Sequence, residues 1–215
     1  MISRAKTIGL IGLLVFYVGL RTQAQDVHFS QYYANPLYLN PSFAGSIICP
    51  RIVANFREQW PNQSGKYTSY SASYDQHFDA LSGGIGVLFL GDRAANGTVN
   101  TNAISVIYAY KVDLSKKVAM RMALQATFQQ KTLDWNKLLF GDMIDPKYGY
   151  VYETREDLKY LSKGIADFSA GLVIYSDKIY GGFAVNHFTQ PKEGFLTDDD
   201  VFSRLPMKIT AHVGA

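Results

Sequence analysis

Residues 118–129, VAMRMALQATFQ, decide the fold because large apolar side chains alternate with small or polar ones for twelve positions. A repeat of two residues is that of a β-strand. Soluble strands average about five or six residues, whereas strands that cross a membrane need about nine to eleven. The length therefore favours a membrane-crossing strand. We predict that Val118, Met120, Met122, Leu124 and Phe128 face lipid, and that Arg121, Gln125 and Gln129 face the lumen.

Seven other segments alternate in the same way, which predicts about eight strands in all. They are residues 52–60, 68–75, 83–90, 103–112, 166–175, 179–188 and 207 onward. The predicted connections are long and short in turn: 61–66, 79–82, 91–100, 113–117, 131–164, 176–178 and 189–206. Outer-membrane barrels alternate long outer loops with tight periplasmic turns in this manner.

The predicted fold class is therefore all-β, a transmembrane antiparallel outer-membrane β-barrel. Residues 51–215 supply its first eight or so strands. The last segment begins as a good strand without a closing partner, and an open sheet edge is costly in lipid, so we expect a barrel longer than this sequence. A soluble β-sandwich is the alternative.

The N-terminus has the features of an export signal. Residues 1–24 have a basic start at Arg4 and Lys6, an apolar run over 8–20 and a small-residue end at Ala24. A membrane anchor is the alternative, but the apolar run is shorter than the ~20 residues that span a bilayer. Without this segment, 18 of the 21 Lys and Arg remain against 18 Asp and Glu. We expect an outer-membrane location, contact with outer-membrane lipid and no nucleic-acid partner.

Residues 25–50 form a separate N-terminal part, predicted to be a plug or a periplasmic segment. Asn35-Pro36 and Asn40-Pro41 each place a helix N-cap before a proline, and Gly45 follows as a stop, which predicts two short helical turns. Bulky aromatic side chains avoid water, so we predict that this part packs in the lumen as a plug. A periplasmic lead-in is the alternative. The candidate plug or partner-binding residues are Phe29, Tyr32, Tyr33, Asn35, Pro36, Asn40, Pro41 and Phe43.

The predicted connection 131–164 is too long for a mere link and contains large apolar side chains. We predict that Trp135 and Phe140 anchor it across the barrel opening, either as a self-packed lid or as a surface for a partner. If the N-terminus is periplasmic, the connections 131–164 and 189–206 lie outside the cell, and 113–117 and 176–178 lie inside the envelope.

The sequence contains little that indicates catalysis or a cofactor. His28, His77, His187 and His212 are scattered and have no metal-ligand spacing. The glycines of 83–86 lack the lysine of a phosphate loop, and a curved strand explains them. Cys49 is the only cysteine and is predicted to be a small buried filler. We expect the protein to have no enzymatic activity and to bind no cofactor and no metal.

Several motifs resemble those of a known family. They are FSQYYANPLYLNPSFAG at 29–45, NFREQW at 55–60, YSASYD at 70–75, KLLFGDMID at 137–145 and LPMKITAHVG at 205–214. Together they resemble the PorP/SprF family of the type IX secretion system and its associated gliding machinery. The resemblance implies a non-enzymatic barrel that binds periplasmic secretion or motility components and supports export or surface anchoring, with the C-terminal domain of a secreted adhesin as one candidate cargo. The alternative is an outer-membrane channel for small or apolar solutes.

Overall fold

The computed structural model describes residues 26–63, 65–138, 140–155, 162–195 and 204–215. The predicted signal peptide, 1–24, lies outside these ranges. No helix within them is long and apolar enough to cross a bilayer.

The main element is one antiparallel sheet of eight strands, each hydrogen-bonded to the next along the chain, and it forms half of a barrel wall. A separate two-stranded hairpin lies in the connection between the fifth and sixth strands of this sheet. The strands are β1 (Arg51–Gln59), β2 (Tyr67–Phe78), β3 (Gly83–Ala94), β4 (Val99–Ser115), β5 (Val118–Leu133), β6 (Ile144–Asp145), β7 (Gly149–Tyr150), β8 (Ser162–Ser176), β9 (Tyr180–Asn186) and β10 (Lys208–Gly214). Among the described residues the sheet has eight strands, of which β9 and β10 are the shortest with seven residues each.

The two faces of the sheet differ as the alternation predicts. On β5, Arg121 is 4% exposed, whereas Leu124 on the opposite face is 72% exposed. Cross-strand pairing puts Arg121 on the same side as Lys111 and Val173. We call this side the concave face and the opposite side the outer face. The predicted division of β5 side chains between two faces is confirmed, and contact of the outer face with lipid stays a prediction.

The outer face carries an apolar band bordered by aromatic rings. On β5 the band extends from Met120 to Phe128, nine residues or about 26 Å along the strand. With the usual tilt of about 40°, this is about 20 Å along a barrel axis, close to the ~25 Å band of membrane barrels. The exposed rings at one border are Tyr74, Phe78, Tyr108 and Tyr110. We call that border the lower end, where β1 begins and β2 ends, and the opposite border the upper end.

The predicted connection 91–100 is wrong. β3 continues to Ala94 and β4 starts at Val99, so only residues 95–98 connect them. Polar pairs such as Arg93 with Asn100 extend the ladder where the apolar alternation stops. Backbone hydrogen bonds do not require apolar side chains, and the strict alternation of long and short connections fails at this turn.

The N-terminal part contains short helical turns, as predicted. A 3-10 turn, Tyr32–Ala34, precedes helix α1 (Pro36–Leu39) and a second 3-10 turn, Pro41–Phe43. The side chain of Asn40 caps the last of these by accepting from the Ser42 backbone N at 2.9 Å. Asn35 makes no such cap, and that part of the prediction is wrong, because its amide is used for a contact with the sheet. Gly45 has a φ of +62°, which favours glycine at the stop.

Cys49 is exposed rather than buried. It lies in residues 46–50, between the N-terminal part and β1, where every side chain is exposed. The expectation of a buried filler is therefore wrong, since this stretch has no sheet to pack against.

Candidate functional site

Residues 26–45, the N-terminal segment, extend along the concave face from its upper end to its lower end. At the upper end the Asp26 carboxylate accepts from Lys208 Nζ at 3.1 Å. Midway, Asn35 Nδ2 donates to Ser71 Oγ at 2.8 Å. At the lower end the Gly45 backbone N donates to the Asp75 carboxylate at 2.8 Å. The segment therefore covers the length of the strands.

The lower contact is built around a buried carboxylate. Asp75 is 1% exposed, and besides Gly45 it accepts two hydrogen bonds from the Arg51 guanidinium at 2.9 and 3.0 Å. Arg121 Nη1 donates to the backbone O of Ala44 at 3.1 Å. Buried charges are stable only when they are paired and hydrogen-bonded, and here the pairing fixes the backbone of the segment. We call Arg51, Asp75 and Arg121 the lower anchor.

Glycines on the concave face let the segment approach closely. A Cβ atom at Gly84 would lie 2.4 Å from the backbone O of Ala44 and 2.5 Å from Cα of Gly45. A Cβ atom at Gly171 would lie 2.2 Å from Oδ1 of Asn40. Close backbone approach, rather than strand curvature alone, therefore explains why glycine stands at position 84.

The buried apolar core lies between the segment and the sheet. Leu37 and Ala44 from the segment are 1% and 0% exposed. They belong to one cluster with four residues of the strands, Leu88, Ile107, Ala109 and Ala123. Since burial of apolar area is the main stabilising contribution in folding, this cluster holds the segment against the sheet.

Asn40 is the most connected polar residue of the segment. It is 0% exposed, and its Nδ2 lies 3.2 Å from the backbone O of Leu172 and 3.3 Å from that of Phe183. The same atom is 3.0 Å from His212 Nε2. The ring of Phe43 lies 5.2 Å from the His212 ring. The Asn40-Pro41 turn thus docks onto three neighbouring strands.

A second polar cluster holds the upper end of the segment. His187 lies between two carboxylates, with Nδ1 2.8 Å from Asp167 and Nε2 3.0 Å from Asp26. Asp167 also accepts from Thr189 Oγ1 at 2.7 Å, and Asp26 accepts from Lys208. His187 has a φ of +58°, an uncommon backbone conformation that occurs in the turn after β9. We call Asp26, Asp167, His187 and Lys208 the upper latch.

The upper latch is ionised over a wide pH range. Burial alone would lower the pKa of His187, but its hydrogen bonds to Asp167 and Asp26 raise that pKa to about 9. Burial alone would raise the pKa of Asp26, but the hydrogen bond from His187 and the charge of Lys208 lower it to about 2. In the upper latch two cations, His187 and Lys208, therefore face the carboxylates of Asp26 and Asp167.

The sequence-predicted plug residues are mostly brought to the concave face. Phe29, Asn35, Asn40 and Pro41 are buried, while Pro36 and Phe43 are half-buried. Tyr32 and Tyr33 are different, because they remain 62% and 67% exposed. Their rings pack edge to face at 5.7 Å, and both residues line a cleft between the segment and β10. The expectation that all of these aromatics leave water is wrong for the two tyrosines.

The structure pairs the two aromatic residues predicted in the long connection. Trp135 is 8% exposed and its ring stacks on that of Phe140 at 5.8 Å. The preceding residue, Asp134, donates its backbone N to Thr98 O, which ties the pair to the turn between β3 and β4. Further along, Val151 N donates to Met143 O within the connection itself. The anchoring role predicted for Trp135 and Phe140 stays a prediction.

The connection between β9 and β10 also contacts the upper end of the concave face. The sequence analysis did not predict this contact. Glu193, between β9 and β10, accepts from Gln129 Nε2 at 2.7 Å and from Lys131 Nζ at 2.8 Å. Both donors lie on the concave face of β5. Beneath this contact a cavity of about 60 Å³ remains between the segment and the sheet, lined by both apolar and polar residues, among them Leu88, Gln125 and Asp167. It has room for a few water molecules.

The four histidines occupy different places, as predicted. His77 Nδ1 lies 3.3 Å from Arg121, His212 contacts Asn40, and His187 belongs to the upper latch. In the part of the chain that is described, no group of three His, Cys, Asp or Glu residues is arranged to hold a metal ion. The sequence analysis did not find the latch, because its members come from four separate stretches of chain.

Long antiparallel strands, an apolar outer band and a polar concave face together define a membrane protein of the β-barrel class. The family model of the type IX secretion system membrane protein PorP/SprF matches residues 21–215, and the chain belongs to this family. The resemblance seen in the motifs is confirmed. No curated protein and no solved structure matches the chain. The protein is thus a membrane component of type IX secretion.

Proposed function

We propose that the protein is a non-enzymatic outer-membrane component that supports export or surface anchoring of secreted proteins by binding partners. The partners are periplasmic secretion or motility components, and the C-terminal domain of a secreted adhesin is a candidate cargo. The lower end of the sheet is periplasmic in this proposal, and the upper end faces outward.

The observation that carries the proposal is the occupied concave face. The N-terminal segment is fixed at both ends and shares the apolar core, which supports its role as a plug. A channel for small solutes is the alternative. The space left beside the segment is a cavity of about 60 Å³ facing β5 and a cleft of about 980 Å³ between the segment and β10.

A contact for a periplasmic partner is proposed where the segment leaves the sheet. Ile47 and Ile48 lie between Gly45, whose backbone the lower anchor holds, and Arg51, and they are 50% and 85% exposed. Adjacent exposed isoleucines at the end of an anchored segment are a suitable apolar contact for another protein. A partner bound there is connected to the plug through only a few residues.

Two variants test the proposal. Deletion of residues 27–44 with the signal intact removes the plug, and we expect the barrel to insert, its conductance to rise and export of a type IX cargo to fall. Ile47→Ser with Ile48→Ser leaves the plug in place, and we expect export to fall at unchanged conductance. Ile179→Ser is the matched control, because Ile179 is a 61% exposed isoleucine in another lower turn.

The measurements are outer-membrane fractionation, single-channel conductance and cargo in the medium. Normal export in both variants would reject partner binding through this region. Unchanged conductance after the deletion would reject the plug. Export lost equally in Ile179→Ser would show that the isoleucine effect is not specific to this contact.

A further inference from the structure

A polar cleft of about 780 Å³ lies on the outer face at the upper end of the sheet. Its floor follows the cross-strand row Thr68, Arg93, Asn100 and Thr132. Three cations and three asparagines contribute most of its functional groups: Lys66, Arg93, Lys137, Asn96, Asn100 and Asn102. Polar groups of this density suit the headgroup region of a membrane rather than its hydrocarbon core.

The cleft lies just beyond the apolar band. Asn102 stands one row above Ile104, which is 50% exposed and paired with Phe89 and Phe128. One row on the same face of a strand is two residues, or about 7 Å. A lipid whose acyl chains cover Ile104 therefore places its headgroup in the cleft.

The charge of the cleft favours an anion. Lys66, Arg93 and Lys137 face Glu58 and Asp134, which leaves three positive and two negative charges. The pairs Lys66 with Glu58 at 3.2 Å and Lys137 with Asp134 at 3.5 Å are both partly exposed. Exposed ion pairs of this kind contribute little to stability. Both lysines can therefore also bind oxygen atoms of a ligand.

Arg93 is the group most available to a ligand. Its guanidinium lies 6.0 Å above the Tyr70 ring, and none of the ion pairs among the described residues includes it. A guanidinium binds two phosphate oxygens side by side. The neighbouring amides of Asn96, Asn100 and Asn102 are suited to sugar hydroxyl and amide groups.

We propose that this cleft binds the phosphorylated sugar headgroup of a glycolipid in the outer leaflet of the outer membrane. The inference rests on the outward orientation of the upper end given under the proposed function. Arg93, Lys66 and Lys137 contact phosphate, the asparagines contact the sugar, and the apolar band below receives the acyl chains. One lipid molecule is thus bound at a fixed position on the outer surface of the barrel.

The test uses the full chain in phosphatidylcholine nanodiscs that contain a small fraction of lipid A. The variant Lys66→Gln, Arg93→Gln, Lys137→Gln removes the three cations of the cleft. The control Lys116→Gln, Lys117→Gln, Lys178→Gln removes three exposed cations from lower turns. Basic residues near an anionic surface each strengthen binding several-fold, so we expect at least about tenfold less bound lipid A in the cleft variant, by native mass spectrometry, and no loss in the control.

Equal loss, or no loss, in the two variants would overturn the proposal. Dephosphorylated lipid A should bind the unmodified protein about tenfold more weakly, and equal binding would overturn the role of phosphate. Inorganic phosphate should not displace lipid A at millimolar concentration, and displacement would identify a free anion as the ligand instead. Because binding is measured on purified protein with confirmed strand content, its failure is separate from failure of the export assay.

Discussion

Gly84 is a residue at which the backbone of the N-terminal segment lies directly against the backbone of the sheet. In Gly84→Ala the new methyl group would lie 2.4 Å from the backbone O of Ala44, and backbone cannot move aside as a flexible side chain does. We expect the segment to loosen, with cleavage inside residues 26–45 by added protease at least several-fold faster. The control is Gly181→Ala on the outer face, where the nearest atom is 3.9 Å away. Equal cleavage rates in the two variants would contradict the close contact.

The upper latch predicts a pH range in which the segment is held most firmly. Because the pKa of His187 is raised from 6.5 to about 9, its stabilising contribution is complete below pH 6.5 and is lost as the pH rises through about 9. Because the pKa of Asp26 is lowered from 3.8 to about 2, its contribution is complete above pH 3.8 and is lost as the pH falls through about 2. The segment should therefore be best protected from hydrogen exchange between about pH 3.8 and pH 6.5.

Hydrogen exchange of residues 26–34 measured from pH 5 to pH 10 checks this range, after correction for the intrinsic exchange rate. In His187→Gln the loss of protection between pH 7 and pH 10 should disappear, because no imidazole titrates there. The same alkaline loss in this variant would show that another group is responsible.

Single residues differ in how far the sequence predicts their contacts. Alternation placed Arg121 on the inner side of the sheet, since that depends only on position within a strand. It did not indicate that Lys208 meets Asp26 and that His187 joins Asp167, because those contacts depend on the curvature of the whole sheet. The Asn-Pro turns were predicted, yet the amide of Asn35 binds Ser71 instead of capping a helix.

At the scale of the elements, β5 allows a matched test of the two faces. Met122 is 40% exposed on the outer face, whereas Gln125 donates to Ser105 on the concave face. An arginine facing lipid near the membrane midplane costs about 2–4 kcal/mol. We expect Met122→Arg to reduce the amount of assembled, heat-modifiable barrel strongly and Gln125→Arg to reduce it little. Equal assembly of both variants would contradict the assigned faces.

The strands were predictable and the connections less so, for a physical reason. A buried and an exposed face impose a period of two on side chains, and that period is visible in the sequence. The extension of β3 and β4 to Ala94 and Val99 depends on backbone pairing between polar residues, which leaves no hydrophobic signal. The inward contacts of Glu193 likewise come from a connection without any period.

At the scale of the whole molecule, the proposed orientation predicts which connections are accessible from outside. An epitope inserted between β6 and β7, at residues 146–148, should be labelled by antibody on intact cells. The same epitope at 177–179, the lower turn between β8 and β9, should be labelled only after the outer membrane is opened. Labelling of 177–179 alone on intact cells would invert the orientation, and with it the place of the lipid cleft.

The central claim is that the N-terminal segment lies along the concave face of the barrel, and a disulfide tests it most directly. Asn35 and Ser71 touch through their side chains, so Asn35→Cys with Ser71→Cys, in a Cys49→Ser background, should form a disulfide in cells. The control pairs Asn35→Cys with Ala72→Cys, because position 72 faces outward on the same strand. We expect the linked peptide, found by mass spectrometry, only for position 71. Linkage at neither position, or equal linkage at 71 and 72, would contradict the claim.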